Sequence, residues 1–362
     1  MPAKKLGVAI LGCGNIAEPY AQTLATYPEI ELIGMADMDV SRAEALAAKF
    51  GCRAYASMED MLADEAVEMV VNLTIHHAHA ETTTRCLEAG KHVHCEKPLA
   101  LTYDEARAVV ELARQKGLRL GCSPFTYMGE AQQTAWKIIR EGKLGQIRVA
   151  FAEVNWGRIE SWHPAPGPFY QVGALFDVAV YPLTMLTAFF GPVRQVWAYG
   201  TVVHPDRVTR EGVPFHIDTP DFVVAVLELE SGPVVRLTSD FYVSRHSSKQ
   251  DGIEFHGDLG TLYLQSWHDF NVAVEMAEFG QPLQPVALIK PAYEGTRKVE
   301  WGRAVLDIAQ ALTENRPHRA TGEQAAHVVE ILNAITQSIE TSCPVAVHSS
   351  FTPPAPMEWA LP

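Results

Sequence analysis

The 362-residue chain has no excess of basic charge: 29 Lys and Arg stand against 43 Asp and Glu, a formal net charge of −14. That balance argues against a nucleic-acid phosphate backbone as partner, because such affinity is carried mostly by Lys and Arg. No block of like charges, internal repeat or low-complexity tract is present, so acidic or basic tails and solenoid arrays are set aside. No apolar run approaches the ~18–20 residues of a membrane span, and no membrane partner is expected. The basic start of MPAKKLGVAILGCGNIAE runs through a short apolar stretch straight into glycines, which reads as a first strand rather than a signal segment. The six cysteines (Cys13, Cys52, Cys86, Cys95, Cys122, Cys343) form no C-x-x-C pair, and the histidines show no H-E-x-x-H spacing. No metal is therefore expected, and buried thiols in a reducing cytoplasm are the simplest reading.

What is present is enough chain for two cores, since single cores stop growing near ~250–300 residues. The first third alternates strand and helix signals. LGVAILG, IELIGMAD, CRAYA, VEMVVNLT, KHVHCEK and LRLGCSP read as six strands. Between them lie helical spacings, with Ser41, Ser57 and Thr102 as expected N-caps and Gly51 and Gly90 as stops. Nearly continuous apolar strands separated by helices predict a doubly wound parallel α/β sheet over residues 1–122. After a connecting helix near 129–145 the pattern changes to longer alternating segments. Two hairpins are expected, with turns at Ser231-Gly232 and at Asp258–Gly260. Residues 123–362 thus read as an α+β domain with an open, mostly antiparallel sheet. Its two closing helices, the second capped by Thr321, are expected to pack back on the first domain.

GCGNIA, residues 12–17, is G-x-G-x-x-A between a predicted strand and helix, the context that a dinucleotide turn requires. Gly12 permits the turn, Gly14 lets the backbone approach a pyrophosphate, and Ala17 lets helix and strand pack closely. Asn15 and Ile16 complete the turn. Asp37 ends the second strand at the offset of a carboxylate that binds an adenosine ribose diol. It would repel the extra phosphate of NADP, and the first basic residue beyond it, Arg42, is five positions on. NAD is the favoured cofactor. Lys97, in the run Glu96-Lys97-Pro98, lies at the C-terminal edge of the fifth strand, where open α/β sheets bind ligands. It can hydrogen-bond a substrate hydroxyl and favour its deprotonated form, and the Lys97–Pro98 bond is a candidate for the cis form.

AILGCGNIA, NLTIHHAHAE and AGKHVHCEKPLAL in this order resemble the Gfo/Idh/MocA family of nicotinamide-dependent oxidoreductases. GALFDVAVYPLTML (173–186) resembles that family's G-x-x-x-D-x-G-x-[H/Y] signature, and GIEFHGDLGTLYL its later strand pair. By this resemblance Lys97 contacts the substrate hydroxyl, Asp177 orients substrate, and Tyr181 takes the place of a catalytic His, as in the glucose–fructose oxidoreductase and dihydrodiol dehydrogenase branches. Thr74 and His79 match the family's T-P-n-x-x-H segment and, with His76 and Glu96, are implied cofactor contacts. Ile75 replaces the usual Pro, His76 the usual Asn, Ala179 a Gly and Thr184 an acidic residue. An unperturbed phenol titrates near ~10, and an ammonium such as Lys97 would favour its phenolate. Tyr181 could instead be a core tyrosine. Trp162 and His163, in the loop 156–170, are candidate sugar contacts or loop anchors, and Gln133 is a further substrate candidate. The resemblance implies a dehydrogenase acting on a sugar or polyol, with an aldose oxidised to its lactone favoured. A homodimer or homotetramer formed through the C-terminal sheet is also implied. The alternatives are a redox-neutral glycosidase or lyase that uses NAD transiently, and a non-catalytic nicotinamide-cofactor sensor.

Overall fold

A computed structural model describes residues 5–244, 246 and 251–361. The chain forms two compact units: one runs as far as Phe125 and adds Gly295–Val329, the other comprises Thr126–Glu294 and Glu330–Pro362.

In the first unit six strands, β1 (Leu6–Leu11), β2 (Ile30–Ala36), β3 (Arg53–Ala54), β4 (Met69–Asn72), β5 (His92–Cys95) and β6 (Leu120–Cys122), lie in the order β3-β2-β1-β4-β5-β6. Every pairing is parallel. The helices between them are α1 (Ala17–Leu24), α2 (Val40–Phe50), α3 (Met58–Ala63), α4 (His79–Glu88) and α5 (Tyr103–Lys116). The order reverses beside β1, so the carboxyl ends of β1 and β4 open a crevice. Val8, Ala9, Ile10, Met69, Val70 and Val71 are wholly buried, the signature of a sheet covered on both faces.

Local signals explain the helix ends. Thr102 and Glu105 form a reciprocal capping box on α5, which stops at Gly117 in the left-handed region. Ser57 caps α3, its Oγ accepting from the Asp60 amide at 3.0 Å. The expectation for α2 is corrected: its N-cap is Asp39, whose carboxylate accepts the Ser41 amide, and Ser41 lies inside the helix. Both residues can cap, and the extended backbone at Asp39 (ψ 93°) decides between them.

The second unit is built on a nine-stranded mixed sheet. Its order is Gln284–Pro285, Val274–Glu278, Gly260–Leu264, Gly252–Gly257, Ile147–Asn155, Val234–Asp240, Phe222–Leu229, Val193–Thr201, Val345–Ala346. Seven of its pairings are antiparallel, and only Ile147–Asn155 with Val234–Asp240 is parallel. Both expected hairpins are present. Residues of Phe222–Leu229 alternate between half-buried and buried, as expected of a sheet with one face on a core. Helix α6 (Glu130–Arg140) opens this unit.

The segment Gly167–Phe190 corrects the expectation about apolar runs. It spans 24 residues and contains an 18-residue window with mean hydropathy 1.6, long and apolar enough to cross a membrane. The window is 89% buried within the protein, however, which marks it as a core helix. Gly173 interrupts it at φ +78°, where a Cβ would stand 2.7 Å from the Thr219 methyl. That is why the GALFD sequence begins with glycine. A π-turn follows at Leu175–Ala179, and Val180–Phe190 resumes the α-helix.

Candidate active site

The candidate residues divide between the units. In the first, the turn after β1 separates two glycine roles. Gly12 has φ +96°, and a Cβ on it would meet the Leu73 carbonyl oxygen at 2.6 Å. Gly14 is exposed, and a Cβ there would meet nothing within 4 Å. The fold therefore requires glycine at 12 but not at 14. The start of α1 has no side-chain cap, so its first amides are available to an anion. Asp37 follows β2, with its Oδ2 accepting the Cys13 amide at 2.6 Å and its Oδ1 the Asp39 amide at 2.8 Å. Burial, reinforced by the Asp37 charge, pushes the Cys13 thiol up to about 12, so it stays protonated. Arg42 is exposed and pairs with Asp39 at 3.3 Å. Open space at Gly14, an uncapped helix start and a fixed carboxylate fit a dinucleotide. Asn15 is exposed and Ile16 half-buried beside that space.

At the exits of β4 and β5 the side chains form a brace. Buried Asn72 accepts from the Thr74 hydroxyl at 2.8 Å and donates to Thr83 at 2.9 Å. His79 is 1% exposed, and its ring nitrogens engage the Pro98 carbonyl at 2.7 Å and the Thr74 carbonyl at 3.0 Å. It therefore ties the β4 exit to the Lys97-Pro98 turn. Glu96 is buried, accepts from the Tyr20 hydroxyl at 2.7 Å and accepts from the Lys97 amide at 3.2 Å. Tyr20 also meets Ser123 Oγ at 2.9 Å. Its hydroxyl thus links α1 to the turn that carries Lys97, an anchor that sequence reasoning missed. Lys97 itself is half-buried, and Lys97–Pro98 and Ser123–Pro124 are both cis. Ile75 is 71% exposed, and the half-buried His76 ring stands edge-on to His79 at 5.9 Å.

In the second unit Asp177 is buried in the π-turn, with Tyr181 four residues on, at 9% exposure. One helical turn separates them, so both side chains share a face. Thr184 is buried and back-bonds to the Val180 carbonyl at 2.8 Å, so the residue that replaces an acidic one serves its own helix. The Tyr181 ring lies 5.1 Å from Trp267 and 5.3 Å from His268, centroid to centroid. Trp156 stands 5.8 Å from Trp267 and 6.4 Å from Trp162. Trp162 is 45% exposed and meets His163 and Phe169 edge-on. His163 Nδ1 turns to the backbone of Ala165, at 2.9 Å from its carbonyl and 3.1 Å from its amide. Gln133 is wholly buried, donates to the Tyr127 carbonyl at 2.8 Å and accepts the Met357 amide at 3.0 Å, so both ends of its amide are engaged within the protein.

Sequence reasoning missed Trp156, Trp267, His268 and Asp269. The signal was legible as a Trp-His-Asp triplet just past the strand Gly260–Leu264. It also missed a buried ionic brace under the 156–170 loop. The Arg207 side chain, 0% exposed, pairs with Glu160 at 2.9 Å and with Asp221, and its guanidinium lies 4.5 Å over the Tyr170 ring. Burial and the hydrogen bond to Glu160 push the Tyr170 phenol well up, so it remains a donor. Among the described residues no group of three His, Cys, Asp or Glu side chains could hold a metal.

Residues 6–123 match the family model described as an oxidoreductase family with an NAD-binding Rossmann fold, and residues 132–263 match the GFO/IDH/MocA C-terminal domain. The chain belongs to the GFO/IDH/MocA family. It is accordingly an oxidoreductase with an NAD-binding Rossmann domain. Among its relatives, trans-1,2-dihydrobenzene-1,2-diol dehydrogenase of Mus musculus is 27% identical over 285 residues, covering 76% of this chain and 80% of the relative. The dTDP-3,4-didehydro-2,6-dideoxy-alpha-D-glucose 3-reductase of Streptomyces antibioticus is 31% identical over 232 residues, 63% of this chain and 70% of the relative. Two solved structures share the fold. An NAD binding oxidoreductase from Klebsiella pneumoniae has a TM-score of 0.82 at 22% identity, covering 96% of this chain and 100% of that one. A levoglucosan dehydrogenase in complex with NADH and levoglucosan has 0.81 at 20%, covering 95% and 100%.

Proposed function

We propose that this family member is an NAD-dependent dehydrogenase that oxidises a secondary or anomeric hydroxyl of a sugar or polyol, with an aldose going to its lactone as the favoured case. The observation that carries the reading is the Asp177–Tyr181 pair on one buried helix face, with Tyr181 packed against Trp267 and His268. Aromatic faces bind the apolar side of a sugar ring, while a carboxylate takes its hydroxyls. The mouse relative is named as a diol dehydrogenase and the levoglucosan dehydrogenase was solved with a sugar, which supports a polyhydroxylated substrate.

Bound at the Gly14 turn, NAD supplies the hydride acceptor. Lys97 donates a hydrogen bond to the hydroxyl oxygen that is oxidised and stabilises its developing negative charge. Tyr181, as its phenolate, removes the hydroxyl proton. Asp177 accepts from an adjacent hydroxyl and fixes the ring, and Trp162 offers a stacking face. The exposed Trp197 and Tyr199, 52% and 60% accessible on the strand Val193–Thr201, support self-association through the sheet.

The test is absorbance at the NADH band with purified protein, NAD and a panel of aldoses, inositols and other polyols. Growth on one or a few of them, abolished in Lys97→Ala and lowered at least ~100-fold in Tyr181→Phe, is the expected result. NAD binding without any growth across the panel overturns the dehydrogenase reading in favour of redox-neutral chemistry.

A further inference from the structure

Past the strand Gly260–Leu264 the chain makes a turn held far more firmly than its length requires. Ser266 Oγ accepts the amides of His268 and Asp269 at 3.0 and 3.1 Å. Gln132, wholly buried at the start of α6, donates to the carbonyls of Ser266 and Asp269 at 3.1 and 2.8 Å. Thr126 donates to the Trp267 carbonyl at 2.7 Å, and the Ala131 amide to the Phe270 carbonyl at 3.2 Å.

What this frame presents is an imidazole against a phenol. The His268 and Tyr181 rings are 5.3 Å apart at an interplanar angle of 59°. Asp269 Oδ1 stands 2.8 Å from His268 Nδ1. A carboxylate is an acceptor only, so in this contact Nδ1 carries the hydrogen, and Nε2 is the ring's other site for a proton. A base oriented by a third group beside a reactive hydroxyl is a recurring catalytic arrangement. The two side chains are 15% and 21% exposed, against 9% for Tyr181 as a residue. The dyad is therefore better connected to water than the phenol it flanks. If packing against Tyr181 were the only requirement, an apolar ring would satisfy it without sinking a polar pair into a nearly closed site.

We propose that His268, oriented by Asp269, takes over the proton that Tyr181 collects from substrate and returns it to solvent. The inference rests on the dehydrogenase reading. The proton leaves the phenol oxygen for His268 Nε2, the Asp269 carboxylate stabilises the imidazolium, and the proton then passes to water. No electrons move in this step, and Tyr181 is left as the phenolate that the next turnover needs. His268 acts through Tyr181, and Asp269 is a positioning residue for His268.

Two measurements test this. In turnover with the sugar found active, His268→Phe keeps a ring against Tyr181 but no nitrogen. It should lower kcat ~100-fold with KM within about twofold, and added imidazole should restore much of the loss. Asp269→Asn should lie between this variant and wild type. Wild-type kcat in His268→Phe, or a loss that imidazole does not restore, overturns the relay. The second measurement needs no substrate. In 13C-tyrosine-labelled protein the Tyr181 Cζ resonance, assigned by its absence in Tyr181→Phe, should shift as His268 titrates. That shift should vanish in His268→Phe and, as a second variant, in His268→Gln. A resonance identical in wild type and both variants overturns the coupling. An idle panel of sugars with an intact Tyr181–His268 coupling would instead sink the dehydrogenase reading alone.

Discussion

Gly12 and Gly14 belong to one motif but answer to different forces, and a pair of alanine substitutions separates them. At Gly14 a Cβ meets nothing within 4 Å, and the residue is outside the left-handed region, so Gly14→Ala introduces no clash. Reduced freedom of the unfolded chain should leave stability unchanged or raise it by about 0.4–1 kcal/mol. The same methyl stands in the space through which the backbone meets a pyrophosphate. Losing one amide contact to a charged oxygen costs about 1.5–3 kcal/mol, which at about 1.4 kcal/mol per tenfold weakens NAD binding ~10–150-fold. At Gly12 the φ of +96° and a Cβ 2.6 Å from the Leu73 carbonyl oxygen act together. Strained backbone of this kind costs about 1–3 kcal/mol before the clash is counted. Gly12→Ala should therefore lose at least ~2 kcal/mol. Urea unfolding measures the first quantity and calorimetric titration with NAD the second. Gly14→Ala binding NAD within twofold of wild type, or unfolding as easily as Gly12→Ala, would refute the division of roles.

Two further outcomes concern the second unit. Arg207→Met strips the cation shared by Asp221 and Glu160 in a site where the Arg207 side chain is fully buried. It should cost about 3–5 kcal/mol in urea unfolding, and a loss below ~1 kcal/mol would show that water reaches those carboxylates. Asp240 is buried, with Oδ1 accepting the amides of Tyr242 and Val243 at 2.8 and 2.5 Å and Oδ2 without a hydrogen-bond partner among the described residues. Burial raises its carboxyl from 3.8 to about 6 despite those two amides. The folded state then holds a proton that the unfolded state releases, so its contribution is complete below pH ~4 and is lost as pH rises to ~6. Asp240→Asn keeps the acceptor and removes the charge. Its stability should be flat across that window and higher at pH 7 by up to about 3 kcal/mol; a less stable variant at pH 7 contradicts this.

The strand–helix alternation of the first unit was legible because each element is consistent at short range. Apolar runs make buried strands, Thr102 and Ser57 cap, and Gly51 and Gly117 stop helices. The motif turn was legible for the same reason: its demands fall within six consecutive residues. Less was legible where long-range contacts decide. The amide of Gln133, named only as a further substrate candidate, is engaged by Tyr127 and by Met357, 224 positions away. His79 and Glu96 bond to Pro98 and Tyr20 respectively, contacts that no local pattern announces. Arg207 is silent in sequence because both carboxylates that neutralise it are remote, 47 and 14 residues off. Asp39 displaced Ser41 as a cap because capping chemistry is shared by both, and only the backbone angle discriminates.

The preference for NAD also gains a physical basis that spacing alone could not supply. A carboxylate on a mobile loop could rotate away from a 2′-phosphate and leave room for a basic neighbour. Asp37 has no such freedom, since one oxygen holds the Cys13 amide inside the glycine turn and the other holds the Asp39 amide at the start of α2. Its negative charge is therefore fixed at the end of β2 by the same turn that shapes the pyrophosphate site. Arg42, five residues on, is turned to Asp39 in an exposed pair and is worth little as compensation. Admitting a phosphate would require breaking one of the two amide contacts or moving the turn. If Asp37 meets the adenosine ribose as proposed, discrimination against NADP would be tied to the glycine turn itself, and substitution at Asp37 alone would disturb that turn as well.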